Sequence, residues 1–412
     1  MTPGGSRFHA IAAALLMLAA APPPAHAFLS WQDDANTLEM RGLLRGSGLI
    51  LKNPDDPTYY NKRSVTGAAG SGRLMLDAGA GSHLSLEMHA VQSYIPLNLQ
   101  TGGSKLVALR DVERSDLLDW SFAGKRSHLL LDRLNVQYAA GRLNLKLGRQ
   151  PVNLASTFYF TPNDFFAPFA AQAFYRTYKP GVDALRADIR LAELSQLSLI
   201  SVLGYQANAL SDNGWSNNID TARNSWLARA SRVFGDVEFA LLGGTVKKDV
   251  VLGGDMQGEL FDWLGIRGEG HVNIPNPAGQ KRRFELALGI EHRWENTLTL
   301  RAEQFYHGGG TNNRAAYTIP TATQGLYMAR NYTALGANYE FTPLFTGDMT
   351  VIRNWLDNSA LFAVYALYSL SDESELALSG TLASGKKPVG ATINSEFGLY
   401  GNSISCEVRS YF

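Results

Sequence analysis

The chain has one cysteine in 412 residues, Cys406, so it forms no internal disulfide and carries neither a thiolate zinc cluster nor a CxxCH haem attachment. An excess of charge of one sign is also missing. The 37 Lys and Arg residues stand against 37 Asp and Glu, and nucleic-acid binding needs a basic surplus. No apolar run approaches the roughly 20 residues of a membrane-crossing helix. GxSxG, HExxH and GxxxxGK[ST] do not occur, which removes the hydrolase, zinc-protease and phosphate-loop chemistries that a local motif would betray. The chain therefore reads as a non-enzyme with no cofactor or metal of its own and no nucleic-acid partner.

What is present begins with an export pattern. Arg7 supplies a positive start, Ala10 to Ala21 an apolar run ended by three prolines, and Ala25-His26-Ala27 a small-x-small cleavage pattern. Residues 1–27 are expected to be a signal peptide, and 28–412 a single exported domain.

Beyond it the hydrophobicity has a period of two. In RFELALGIEHRW (283–294), Phe284, Leu286, Leu288 and Ile290 share one face and Glu285, Gly289, Glu291 and Arg293 the other. Segments of this kind recur near 38–50, 71–79, 82–93, 127–139, 142–150, 181–191, 194–205, 223–234, 236–246, 249–259, 262–273, 282–294, 297–308, 330–341, 344–355, 359–371, 373–385 and 402–412. Long and very short links alternate between them. The boundaries near 246–262 and 385–402 are the least marked. An exported chain with this pattern is expected to be all-β, a transmembrane antiparallel barrel of about eighteen strands with long outer loops and short periplasmic turns, in the outer membrane of a Gram-negative cell. The C-terminal ISCEVRSYF alternates Ile404, Cys406, Val408 and Phe412 against Ser405, Glu407, Arg409 and Tyr411. This resembles the closing strand of bacterial outer-membrane proteins, and the resemblance implies that Tyr411 and Phe412 are read by the barrel-assembly machinery.

A barrel of this width cannot be filled by wall side chains and holds water unless something plugs it. On the face opposite the apolar one, basic residues (Lys146, Arg186, Arg190, Arg267, Arg293, Arg301, Arg409) balance acidic ones (Glu87, Asp188, Glu269, Glu285, Glu291, Glu303, Glu407). The expectation is weak charge selectivity, with many charges paired across strands. A three-residue turn at 295–297 would set Glu291 opposite Arg301. The segment Pro151 to Pro180 contains nine aromatics, costly to leave in water, so it is expected to pack against the inner wall as a constriction with Asp164, Arg176 and Lys179 facing solute. Arg149 raises a conflict, because strict alternation puts it on the lipid face with Leu147. Either Arg149 snorkels at the outer rim, or a bulge at Gly148 turns it inward, and the bulge is the reading preferred.

GRQPV (148–152), TPNDFFAPF (161–169) and KPGVDALR (179–186) together resemble a recurring region of outer-membrane porin-like barrels, and GRQ after an alternating strand is similar to the alginate-export-like barrels. The resemblance covers about 142–191. It implies a channel of the eighteen-strand type with Arg149 and Gln150 near the constriction. Asp183, Arg186, Asp188 and Arg190 are expected on the pore wall. The resulting expectation is passive diffusion of small hydrophilic solutes or ions, with membrane lipid and the assembly machinery as partners and a homo-oligomer left open. A second arrangement also stays open, in which the lumen is occupied or fed by a periplasmic partner, as a cytochrome sleeve or a polysaccharide exporter.

Overall fold

The computed structural model describes residues 28–104, 112–276, 280–319 and 327–412; the expected leader, 1–27, lies outside them. Among the described residues eighteen long strands form one antiparallel sheet. They are β1 (Asn36–Lys52), β2 (Ser64–Ala80), β3 (Leu84–Tyr94), β4 (Ser127–Ala140), β5 (Leu143–Gln150), β6 (Val182–Ala192), β7 (Ser195–Val202), β8 (Ser225–Phe234) and β9 (Val237–Val246). The second half comprises β10 (Asp249–Leu260), β11 (Leu264–Ile274), β12 (Arg283–Arg293), β13 (Thr299–His307), β14 (Asn331–Thr342), β15 (Phe345–Asn354), β16 (Ala360–Ser371), β17 (Ser374–Ser384) and β18 (Asn402–Tyr411). Each pairs with the one before it. β18 returns to β1, from Leu43 opposite Tyr411 to Lys52 opposite Asn402, so the sheet closes into a barrel and leaves no long edge unpaired.

Alternation decides which face meets lipid. Leu147, Leu241, Leu252, Leu288, Ile290, Leu335, Val364, Leu382 and Ile404 are exposed on the outside, while their sequence neighbours point in. Outside water this arrangement is the favourable one, because every backbone polar group is satisfied in the ladder and the lipid-facing side chains are apolar. The last residue joins the closure. Phe412 and Gly42 exchange backbone hydrogen bonds (2.6 and 3.0 Å), and the Phe412 ring meets Phe28 edge-on at 6.2 Å.

The strands fall where the period of two places them, with one extension. β2 begins at Ser64, seven residues before its alternation becomes visible, because SVTGAAG (64–70) is built of small side chains that mark neither face.

The hydrophobic core lies inside the barrel. One cluster joins Tyr159, Phe160, Phe305, Tyr332, Ile352 and Phe397, and another joins Val152, Leu154, Phe166, Ile200, Leu227 and Leu242. In both, inward-facing strand residues meet side chains from the 151–180 segment.

The conflict at Arg149 is resolved without a bulge at Gly148. β5 pairs without a register shift, with Leu147 opposite Val136, Gly148 opposite Asn135 and Arg149 opposite Leu134. The extra residue sits in the neighbouring strand instead, at Asp132, where the β3–β4 register slips between His89 and Ala90. Gly148 contributes through its backbone, at φ +120°, a conformation that L side chains rarely adopt. Leu147 is 63% exposed to the outside and Arg149 only 2%. A side chain at Gly148 would also run into the Leu134 carbonyl. Gly148→Val is therefore expected to cost about 2 kcal/mol or more and to lower the folded fraction, read from the heat-modifiable mobility of the barrel on gels.

Candidate functional site

The segment between β5 and β6 has no regular structure, so its backbone donors need partners elsewhere. Two inward-facing carboxylates of the opposite wall supply them. Glu269 on β11 accepts from the N–H groups of Ser156, Thr157 (3.0 Å) and Asn163 (2.9 Å), and from the Ser156 hydroxyl (3.2 Å). Glu303 on β13 accepts from the N–H groups of Phe158 (2.9 Å), Tyr159 (3.1 Å) and Phe160 (2.6 Å). Hydrogen bonds to an ionised acceptor are the strong class, and here each carboxylate gathers three backbone donors.

Aromatic side chains hold the segment from there onward. Phe160 stacks on Phe305 at 4.9 Å, Phe165 meets His271 at 5.0 Å, and Phe174 stacks on Tyr365 of β16 at 5.3 Å. Cation–π contacts continue the circuit. Arg267 and Arg301 lie 4.3 and 4.2 Å from the Phe158 ring, Arg409 and Arg45 lie 3.9 and 4.8 Å from Tyr175, and Arg73 lies 4.3 Å from Tyr178. The segment thus leaves β5, touches β11, β13, β16, β18, β1 and β2 in turn, and returns at β6. Its contacts run around the inner wall.

Tyr159 comes close to the wall itself. Its hydroxyl lies against Gly336 of β14, where a first side-chain carbon would overlap it. Gly336→Val is expected to displace Tyr159 and raise the noise of single-channel recordings without unfolding the barrel.

The sequence-derived site residues divide by what covers them. Arg186 and Asp188 pair on the inner face at 2.8 Å, and Arg190 is exposed on the same strand. Glu291 faces Arg301 across β12 and β13, with Arg301 at 3.1 Å and Arg267 at 3.3 Å. Arg293 is exposed near the short-turn end, 4.0 Å from Glu340. Arg176 is half-buried inside the segment and donates to the carbonyls of Ala173 (2.7 Å), Ala171 (3.0 Å) and Phe158, which bends the chain around its guanidinium. Burial lowers its pKa from the ordinary arginine value.

Five of the expected solute-facing residues are not open to solute. Arg149 is enclosed at the rim. Its guanidinium donates to Asp183 (2.9 Å), Asp119 (3.5 Å), the Ser115 carbonyl (2.7 Å) and the Leu131 carbonyl (3.1 Å). Gln150 is buried beside it, donating to the carbonyls of Lys146 and Ala184 at 3.0 Å each. Asp164 and Lys179 form a buried ion pair that ties the middle of the segment to its C-terminal end. Burial pushes the Asp164 carboxyl up and the Lys179 ammonium down, each towards neutrality, against their mutual attraction. Glu303 faces inward as the alternation requires, but the segment it holds covers it. Asp183 is half-buried and serves Arg149, the Ser115 N–H (2.9 Å) and the Tyr205 hydroxyl (3.0 Å).

Asp119, Ser115 and Asp132 lie in stretches with no motif, and only their arrival at Arg149 or its neighbours gives them a role. Asp77, Glu87 and His89 bring potential ligand atoms within 4.8 Å of one another. Their charge is met from within the chain, because Arg41 binds Asp77 at 2.6 Å while Arg133 (2.6 Å) and Lys146 (3.0 Å) bind Glu87.

No protein-family model and no curated protein matches the sequence. Solved structures match its shape. OccAB3 of Acinetobacter baumannii superposes with a TM-score of 0.59 at 11% identity, covering 91% of this chain and 99% of that one. A BenF-like porin from Pseudomonas fluorescens Pf-5 gives 0.57 at 12% identity, covering 91% and 98%. The outer membrane protein opdK from Pseudomonas aeruginosa gives 0.55 at 11% identity, covering 92% and 98%. The likeness at this identity is one of fold, and it spans nearly the whole of each chain.

Proposed function

We propose, for a chain with the fold of outer-membrane porins, that it is a passive channel through which small hydrophilic solutes cross the outer membrane, and that the inward segment 151–180 sets the width of the passage. The observation that carries this reading is the capture of six backbone N–H groups by Glu269 and Glu303, which seats the segment against the far wall. A segment held only at the rim could swing clear, whereas one bonded across the lumen stays in the solute's path. Along that path lie Arg186, Asp188, Arg190, Glu291 and Arg301, mostly neutralised in pairs, which favours size over charge as the filter. Tyr411 and Phe412, at the seam where β18 meets β1, serve in this reading as the assembly signal.

The test is single-channel conductance of the refolded full chain in a planar bilayer, beside a version shortened across 158–175. Discrete steps with weak ion preference, enlarged in the shortened barrel, are the expected result. A folded barrel that passes no current would overturn the channel, and equal steps from both versions would overturn the role of the segment.

A further inference from the structure

Beside the inward segment the structure holds a recess of about 490 Å³. Leu51 of β1, Thr381 of β17 and Ser403 of β18 form its wall side, and Ala171 and Gln172 of the inward segment form another. Its aromatic surface comes from Tyr60, Tyr327 and Tyr400. The Tyr60 hydroxyl is already given to the Leu399 carbonyl, which fixes that ring in place. A concave space in the roughly 300–1,000 Å³ range, mostly apolar and with a few fixed polar groups, is the usual form of a small-molecule site.

One ionisable carboxyl lines it, that of Glu396, and no Lys, Arg or His joins it among the described lining residues. The carboxyl is held rigidly, since Oε2 accepts from the Tyr332 hydroxyl at 2.5 Å and from the Asn354 amide at 2.7 Å. Burial raises its pKa to about 7, so near neutral pH it is poised between a hydrogen-bonding acid and an anion. A carboxylate solute entering such a space would lose its hydration and find no cation among the described lining residues in return. A hydroxyl or ammonium would find an acceptor.

We propose that this recess is a binding site for small planar solutes that carry hydroxyl or ammonium donors and no anionic group. Tyrosine faces receive the ring, and Glu396 and the neighbouring side-chain amide and hydroxyls meet the donors. The site does not depend on the channel reading, because binding is measured whether or not the barrel conducts.

The experiment is calorimetric titration of the full chain in detergent with three probes that differ in one substituent: 4-hydroxybenzyl alcohol, 4-hydroxybenzylamine and 4-hydroxybenzoate. Saturable one-to-one binding of the alcohol and the amine is expected, with the carboxylate weaker by about tenfold or more. Thr381→Trp, which fills the recess from the wall, should abolish binding of both favoured probes. Ser403→Phe does the same from the adjacent strand, should the first variant fail to fold by the gel-mobility criterion. Glu396→Gln should narrow the gap between the carboxylate and the alcohol. Undiminished binding in a folded filled-recess variant, tightest binding of the carboxylate, or no binding of any probe would each overturn the proposal.

Discussion

Replacing Glu269 and Glu303 together with alanine is expected to raise single-channel conductance roughly twofold or more, with frequent flicker between levels. The two carboxylates accept six backbone hydrogen bonds from residues 156–163 and lie almost wholly buried beneath them. A hydrogen bond to a charged group contributes about 1.5–3 kcal/mol, and losing several at once exceeds what the neighbouring ring contacts can restore. The N–H groups left behind have no substitute acceptor on an apolar patch, so they turn to water, and the segment leaves the wall to follow them. The barrel is expected to stay folded, because its ladder bonds do not involve the carboxylates. Each single variant should show a smaller change, since the other carboxylate still holds three donors. Conductance unchanged in a folded double variant would mean that aromatic and cation–π contacts alone seat the segment.

The second large effect is expected at Arg149. Arg149→Met should cost about 3–5 kcal/mol, because it removes the guanidinium while leaving Asp183 without its counter-charge and Asp119 with Arg114 alone, at 3.1 Å. Asp119 is buried and Asp183 half-buried; Arg149 is bonded to both and to two backbone carbonyls. Arg149→Lys should recover only part of the loss, since an ammonium cannot reach acceptors on three sides at once. Arg149→Met combined with Asp183→Asn should be less damaging than the two single effects summed, because removing the stranded charge relieves part of the penalty. Guanidinium titration followed by tryptophan fluorescence checks all three. Additivity of the two substitutions would show that the pair is not coupled.

The barrel was legible in the sequence because its rule is local: one residue out, one residue in, eighteen times, with each face read from its own side chains. Where that local mark fades, as in the small-residue start of β2, the reading fades with it. The aromatic richness of 151–180 was legible for the same reason, as a composition that water does not tolerate. What the period could not supply was cover. Glu303 lies on the inward face as alternation demands, yet nothing in its own strand says that a segment 144 residues earlier bonds to it. Arg149 and Gln150 likewise carry a motif, and the motif looks the same whether the guanidinium faces solute or is used up by Asp119, Asp183 and two carbonyls. The Glu291–Arg301 pair could be read, because it depends only on the length of one turn.

The circuit of the inward segment also fixes an order of events in assembly. Its two ends are anchored on β5 and β6, early in the chain, whereas the surfaces it rests on belong mainly to β11, β13, β16 and β18. Contacts so distant in sequence form late, after the intervening chain has paid its loop-closure entropy. The seat beneath Tyr175 does not exist until Arg409 of the last strand stands beside Arg45 of the first. Until that moment Tyr175 has no seat, and an aromatic side chain left uncovered in a half-built sheet favours aggregation. The final strand therefore completes two structures at once, the wall and the seat for what lies within it.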